Sequence, residues 1–325
     1  MDTNDLVTPH VHGARAQRTV LTAAAVVQMP LRGFGDSGAT GTMIERNAER
    51  TARTVEKLIA AAGVIPQVIV LPVLCLTGIG AVLQELGIAP RIDREAIAVN
   101  LLANDPRLEP LQKLCATYKC CIASSCVEKI SAFPGRYFHT GFVLGPSGII
   151  LRSPKTQAPT SPGITLLKDF HKEYTAHFGS DAVLPVADTP LGKLGCLVET
   201  EFLVPEATRE LRRKGAEIIL HPTAQHAGPG YPPYQAMRQS LAYTNGVYWL
   251  SAVPARETAR ANGNLHRTWF GGGSSIVGPD GAIIACVHGR HQGLATGTID
   301  LGFLTACREK QRRYTVPDPG IYEHR

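Results

Sequence analysis

The chain has 325 residues, 44% of them hydrophobic and 18% charged, which is enough apolar matter for a sizeable core and excludes general disorder. The formal net charge is only +6, and the densest basic runs, 209–214 and 308–313, fall at the polar ends of predicted helices. Solvated helix faces account for them, and nucleic-acid binding is not expected.

In chain order, residues 1–18 are polar and without period, and they read as a flexible tail; its His10 and His12 are a lone pair with no further metal ligands nearby. Residues 20–27 form a nearly continuous apolar run of strand length, the mark of a strand covered on both faces. A helix follows over 42–62, where Ile44, Ala48, Ala52, Val55, Ile59 and Ala62 recur at three- and four-residue steps before Gly63. The next buried strand spans 67–71. The apolar stretch 68–83 is interrupted by Pro72, Gly78 and Gly80, so it is too short and broken to span a bilayer. Residues 80–110 carry little signal beyond a weak helix around 94–102.

A helix over 111–118 feeds a strand over 120–126, and residues 137–144 and 149–152 read as a hairpin about Gly145-Pro-Ser-Gly148. Residues 154–180 are expected to be a long polar connection. A strand over 183–186 follows, then the segment from Gly192 to Glu206: a strand over 194–198, a sharp turn at Glu199, and a helix opening at Pro205. A side chain on a strand-to-helix turn points out beyond the carboxyl end of a sheet, where a nucleophile finds oxyanion donors. Beyond it come a helix over 205–214, a strand over 217–220, a Pro/Gly-rich loop over 221–233, a helix over 234–243 and a strand over 247–253. A hairpin of 274–277 and 283–287, a strand over 294–299 and a helix over 301–313 complete the chain. The alternation of strands and helices, broken by hairpins, implies two mixed sheets with helices outside: an α/β fold, an α-β-β-α sandwich in one domain spanning 19–325. Gly271-Gly-Gly-Ser-Ser275 lacks the lysine and following helix of a phosphate-binding loop.

The eight cysteines lie at 75, 115, 120, 121, 126, 196, 286 and 307. The group 115–126 has no CxxC pair, and Cys120 and Cys121 on a strand point to opposite faces, so core thiols are expected rather than a metal site. With no signal peptide recognisable, a reducing cytoplasm is the expected compartment.

Several segments, in joint order and spacing, resemble the nitrilase, or carbon–nitrogen hydrolase, superfamily over about 20–322. They are Ala24-Ala-Val-Val-Gln28, Leu71-Pro-Val-Leu-Cys-Leu-Thr-Gly78, Arg136-Tyr-Phe-His-Thr140, Leu151-Arg-Ser-Pro-Lys155, Gly192 to Glu206, Gly215-Ala-Glu-Ile-Ile-Leu-His-Pro-Thr223, Asn245-Gly-Val-Tyr248 and Gly273 to Gly281. The resemblance implies the four-layer sandwich of that family and chemistry on amides or nitriles by a Glu, a Lys and a Cys. Glu serves as base toward the thiol, and Lys steadies the tetrahedral oxyanion.

Two of these three residues differ here. Val73 stands where the base Glu is implied, Lys155 matches the lysine, and Glu199, six residues before Pro205, stands in place of the cysteine. Cys196 lies three residues too early. The carboxylate has in effect moved to the turn, and an ion pair between Lys155 and Glu199 is expected, because a buried lysine needs a counter-charge. One reading is a catalytically silent homologue, acting as a subunit or binding protein. Another is a rewired enzyme in which Glu199 is general base or nucleophile toward an amide-like or carbonyl substrate. A third is amidase chemistry through Cys75 or Cys196. Further pocket candidates are Thr200, His139, Glu173, His221 and His226. No cofactor is expected. The resemblance implies a homo-oligomer through the turn helix and the C-terminal helix, and a possible small amide-like ligand.

Overall fold

The structure, a computed structural model, describes residues 21–31, 41–78, 93–157, 164–225, 233–256, 258–261, 264–267 and 270–315. Its strands are β1 (Leu21–Gln28), β2 (Val68–Val70), β3 (Cys121–Lys129), β4 (Tyr137–Gly145), β5 (Gly148–Pro154), β6 (Val186–Thr189) and β7 (Gly192–Cys196). They continue with β8 (Ile218–Pro222), β9 (Tyr248–Ala252), β10 (Thr258–Ala261), β11 (Asn264–Arg267), β12 (Ser275–Val277), β13 (Ile283–Cys286) and β14 (Gly293–Asp300). The helices are α1 (Gly41–Ala62), α2 (Arg94–Ile97), α3 (Glu109–Tyr118), α4 (Leu167–Phe178), α5 (Pro205–Arg213), α6 (Tyr234–Asn245) and α7 (Leu301–Thr315).

Two six-stranded sheets dominate, with strand orders β14-β1-β2-β3-β4-β5 and β13-β12-β9-β8-β7-β6. Each has a parallel centre (β1-β2-β3 and β7-β8-β9) flanked by antiparallel strands, so both are mixed, as the broken alternation of elements implies. The period-two alternation of strand side chains then makes the layers. Val68, Val70, Cys121 and Ala123 of the first sheet pack with Leu194, Ile218, Leu220, Tyr248 and Leu250 of the second in a central core. Ile69, Ile122 and Cys126 turn the other way, onto Ile44, Val55 and Ile59 of α1 and Leu111 and Leu114 of α3. Ile219 and Trp249 turn outward onto Leu211 of α5 and Leu241 of α6. The result is the expected four-layer α-β-β-α arrangement. Cys120 and Cys121 do fall in opposite layers.

Three expectations are corrected, and one element was not foreseen. Residues 154–180 are not a structureless connection: α4 lies within them, packing Leu167, Phe170 and Tyr174 against Phe138 and Ile130. Charged residues between the apolar ones, and a kink at Phe170 (φ −139°, ψ 22°), obscure its period. The helix around 94–102 is only the four residues of α2: Ala98 is extended, Val99 bridges to Glu128, and a 3₁₀ turn follows at Leu101–Ala103. The strand expected at 183–186 begins at Val186, because a 3₁₀ turn at Ser180–Ala182 precedes it. The polar hairpin β10–β11 was not foreseen at all. The tail 1–18 and His226 lie outside the described residues. Among the described residues, no helix is long and apolar enough to cross a membrane, and no group of three His, Cys, Asp or Glu could hold a metal ion.

Candidate functional site

The strand expected to reach residue 198 stops pairing at Cys196, at the end of β7. Leu197 and Val198 then carry the chain out of the sheet, and Glu199 opens a 3₁₀ turn, Glu199–Leu203, that precedes α5. Glu199 therefore does not sit on the first N–H groups of α5, as a direct strand-to-helix turn would place it. It adopts φ +52°, a left-handed conformation uncommon for a residue with a side chain of this size. Such strain of order 1–3 kcal/mol persists only where the surroundings over-determine it.

The surroundings do so here. Glu201 reaches back to accept the Val198 N–H at 2.8 Å, and it also accepts the Thr156 N–H and hydroxyl, each at 2.7 Å. It is wholly buried, and burial pushes its carboxyl upward despite these three donors. One side chain thus ties the turn after β7 to the residue after Lys155.

Lys155 leaves the end of β5 with its side chain only 3% exposed, and its Nζ donates to Glu199 Oε2 at 2.9 Å. The Glu199 carboxylate retains 18% exposure. Burial pushes its acidity down, but the Lys155 ammonium, and next His139, more than reverse this and hold the carboxyl below the ordinary glutamate range. His139 Nδ1 stands 3.8 Å from the same oxygen, and its Nε2 meets Ser125 Oγ at 2.9 Å. The Leu74 N–H donates to that Ser125 oxygen at 3.1 Å, so the Ser125 hydroxyl hydrogen is available for the ring, whose own proton then faces Glu199. Burial drives His139 down to about 4, so the ring is neutral at pH 7. His221, at the end of β8, binds the Glu199 carbonyl oxygen through Nε2 at 2.7 Å and Ser251 Oγ through Nδ1 at 2.8 Å. Burial first, then the charge of Arg238, lowers it to about 3. With Lys155 charged, the centre is one ammonium and one carboxylate, flanked by two neutral imidazoles.

The other candidates separate. Val73 is wholly buried in the layer beneath α1. Thr200 follows Glu199 in the 3₁₀ turn, its Oγ1 buried and without a hydrogen-bond partner. Glu173 is on the exposed side of α4, so it is corrected from a pocket residue to a surface one. Cys196 points into the core between the sheets. A Cβ added to Gly141 of β4 would lie 2.6 Å from its sulfur, which shows how closely the thiol packs there. Burial raises the Cys196 thiol well above its ordinary range and raises Cys75 to about 11. Neither is the ionised thiol that attack requires. Sequence reasoning missed Glu201 and Ser125. Glu201 carried a signal, a carboxylate three residues after Val198 where a reach-back cap can form. Ser125 carried none, since its meeting with His139 depends on the β3–β4 register.

The Carbon-nitrogen hydrolase family profile matches residues 23–309. The chain is 27% identical over 215 residues to Omega-amidase NIT2 of Xenopus tropicalis, covering 65% of this chain and 73% of that protein. It is 29% identical over 156 residues to Nitrilase 1 of Arabidopsis thaliana, which is 43% of this chain and 44% of that protein. The matched stretch is thus under half the length of the plant nitrilase. Among solved structures, a carbon-nitrogen hydrolase from Helicobacter pylori superposes with a TM-score of 0.70 at 18% identity, over 94% of this chain and 98% of that one. Saccharomyces cerevisiae Nit3, of the nitrilase superfamily, gives 0.64 at 19%, over 90% and 97%. At such identities the superpositions speak for the fold. The profile spans most of the sequence, and the chain belongs to the carbon–nitrogen hydrolase family.

Proposed function

We propose that this chain is a carbon–nitrogen hydrolase homologue that has left the family's thiol chemistry and acts as a silent subunit or as a binding protein for a small amide-like molecule. On this reading Val73 replaces the base glutamate and Glu199 replaces the cysteine, leaving Lys155 as the retained member. The observation that carries it is the 2.9 Å contact between Lys155 and Glu199. A lysine whose ammonium is already paired with a carboxylate offers a developing oxyanion little net positive charge, and a valine takes no proton. The two thiols nearest in sequence, Cys75 and Cys196, are buried and un-ionised.

A second reading is favoured by one specific feature. The strained φ of +52° at Glu199, together with its 18% exposure, is the kind of arrangement retained where a carboxylate is held for use. In that case Glu199 is a general base or nucleophile toward an amide-like or carbonyl carbon. A panel of amides, nitriles and carbamoyl compounds, run on wild type and Glu199→Ala, separates the two. The proposal expects no turnover above the Glu199→Ala background. Turnover abolished by Glu199→Ala would instead establish the rewired enzyme, and turnover that survives it would remove Glu199 from either mechanism.

A further inference from the structure

Arg238 is the largest charged side chain sealed inside the described fold, at 2% exposure on α6. A buried guanidinium ordinarily faces a carboxylate, because an isolated buried charge is costly. Among the described residues, Arg238 has only neutral partners. Its Nη1 donates to the Gly273 carbonyl at 3.0 Å, to Gln235 Oε1 at 3.2 Å and to Ser275 Oγ at 3.4 Å, and its Nη2 donates to Gln225 Oε1. The Nε–H, on the remaining edge of the fork, is buried and has no partner.

The two glutamines sharpen this. Arginine can only donate, so each glutamine must turn its oxygen toward Arg238 and its NH₂ away. Both of those NH₂ groups, Gln225 Nε2 and Gln235 Nε2, are buried and unpartnered. The orphaned atoms of these three residues are therefore all donors, and what would satisfy them is a species that only accepts. The backbone adds to the same sign. Helix α6 starts at Tyr234 with no side-chain cap on its first N–H groups, which carry the positive end of the helix dipole. A Cβ built on Gly273, at φ +79°, meets no described atom within 4 Å, next to the carbonyl that holds Arg238. The glycine run 271–273 thus acquires an arginine from another element, in place of the lysine it lacks in sequence.

We propose that Arg238, Gln225 and Gln235 form a binding site for a small oxyanion, of the carboxylate or phosphate class, at the N-terminal end of α6. The anion supplies the counter-charge that the fold withholds, accepting from Arg238 Nε and from the two amide NH₂ groups. The site adjoins the Glu199 centre through His221, which feels the Arg238 charge and binds the Glu199 carbonyl, but it does not depend on any role of Glu199.

The test is thermal unfolding of the full chain in increasing sodium phosphate or sodium acetate, each against sodium chloride at matched ionic strength. A saturable rise in midpoint of about 2 °C or more beyond the chloride control is expected with at least one of the two, and which one saturates identifies the class. Arg238→Met should remove the dependence. Gln235→Glu places a carboxylate beside the guanidinium. It should raise the midpoint in anion-free buffer and flatten the anion response, and it decides the matter if Arg238→Met does not fold. Wild-type behaviour in phosphate and acetate no different from chloride would overturn the proposal. So would an undiminished anion response in Gln235→Glu.

Discussion

Replacing Glu199 with Gln keeps the shape of the side chain and deletes only its charge, which isolates the Lys155–Glu199 contact. At 2.9 Å and an effective dielectric constant of about 20, the attraction is about 6 kcal/mol before desolvation is charged against it. Breaking a buried pair from one side costs about 3–5 kcal/mol, because the other charge is left uncompensated. Lys155 is 3% exposed and Glu199 18%, so the loss of the carboxylate is the harsher of the two deletions, at about 3 kcal/mol. Lys155→Met leaves a carboxylate that water can still reach, and should cost about 2 kcal/mol. The double variant leaves no charge stranded and should lie within about 1 kcal/mol of wild type, giving a coupling energy of several kcal/mol. Urea unfolding at pH 7.5 is the suitable assay, since a salt denaturant would screen the pair. A Glu199→Gln loss below about 0.5 kcal/mol, or additive single and double variants, would refute the reasoning that this pair neutralises a buried lysine.

Two histidines should make the protein acid-labile. His139 at about 4 and His221 at about 3 are both depressed by burial, so the unfolded chain takes up protons first as pH falls below about 6.5. Stability is then lost from there downward at about 1.4 kcal/mol per unit for each group, about 4 kcal/mol by pH 5; a pH series of urea midpoints in which His139→Asn leaves that limb unchanged would contradict this. Glu128 acts in the opposite sense: burial raises it to about 7, although Arg152 and Thr140 oppose the shift, so the folded state holds a proton that the unfolded state gives up near 4.5. Stability is lost as pH rises through that window, and Glu128→Gln should gain on wild type by about 3 kcal/mol between pH 5 and 8 in the same assay. Val73→Glu alone adds a carboxylate at a wholly buried position in the apolar layer beneath α1, and should lower the thermal midpoint. On the proposed reading, Val73→Glu with Glu199→Cys restores a Glu, Lys and Cys, and should unfold later than the single variant and show amidase turnover above that of wild type. Pairing of two copies through α5 and α7 predicts a dimer by sedimentation, and Phe303→Asp, on the 44% exposed face of α7, should shift it toward monomer.

The layers of this fold are written plainly in the sequence. In α1, the apolar steps from Ile44 to Ala62 are undisturbed, and the runs at β1, β2 and β8 are apolar on both faces because both faces are covered. The hairpin β10–β11 was written there and missed: Asn262-Gly263, between Thr258–Ala261 and Asn264–Arg267, is the two-residue sequence signal of a hairpin. Spacing to Pro205 was enough to place Glu199 at the turn after β7, and the need of a buried lysine for a counter-charge was enough to bring Lys155 to it. What spacing could not supply was the 3₁₀ turn between Glu199 and α5, which Glu201 stabilises by reaching back to Val198. Arg238 had a signal that was overlooked. It stands with Leu241, Ala242 and Asn245 at three- and four-residue steps on the buried stripe of α6, where a long cation is out of place. Gln235, three residues before it, is a local partner; Gln225, Gly273 and Ser275 come from other segments, which no local pattern names.

The two unusual charges of this molecule obey one rule and resolve it differently. Lys155 and Arg238 are each about as buried as the other, and each is held at the carboxyl end of a sheet. Lys155 meets its counter-charge within the chain, in the glutamate on the turn after β7, which relieves the cost of burying the ammonium. Among the described residues Arg238 meets only carbonyl, amide and hydroxyl oxygens, with its Nε–H and two amide NH₂ groups left over. Neutral acceptors share the burden of a cation but do not cancel it. A fold that keeps such an arginine has either accepted several kcal/mol of destabilisation or left a place for an anion to enter. The unpartnered donors of Arg238, Gln225 and Gln235, with no unpartnered acceptor among the three, favour the second. On this view the proposed anion site lies next to the Lys155–Glu199 pair, with His221 between them.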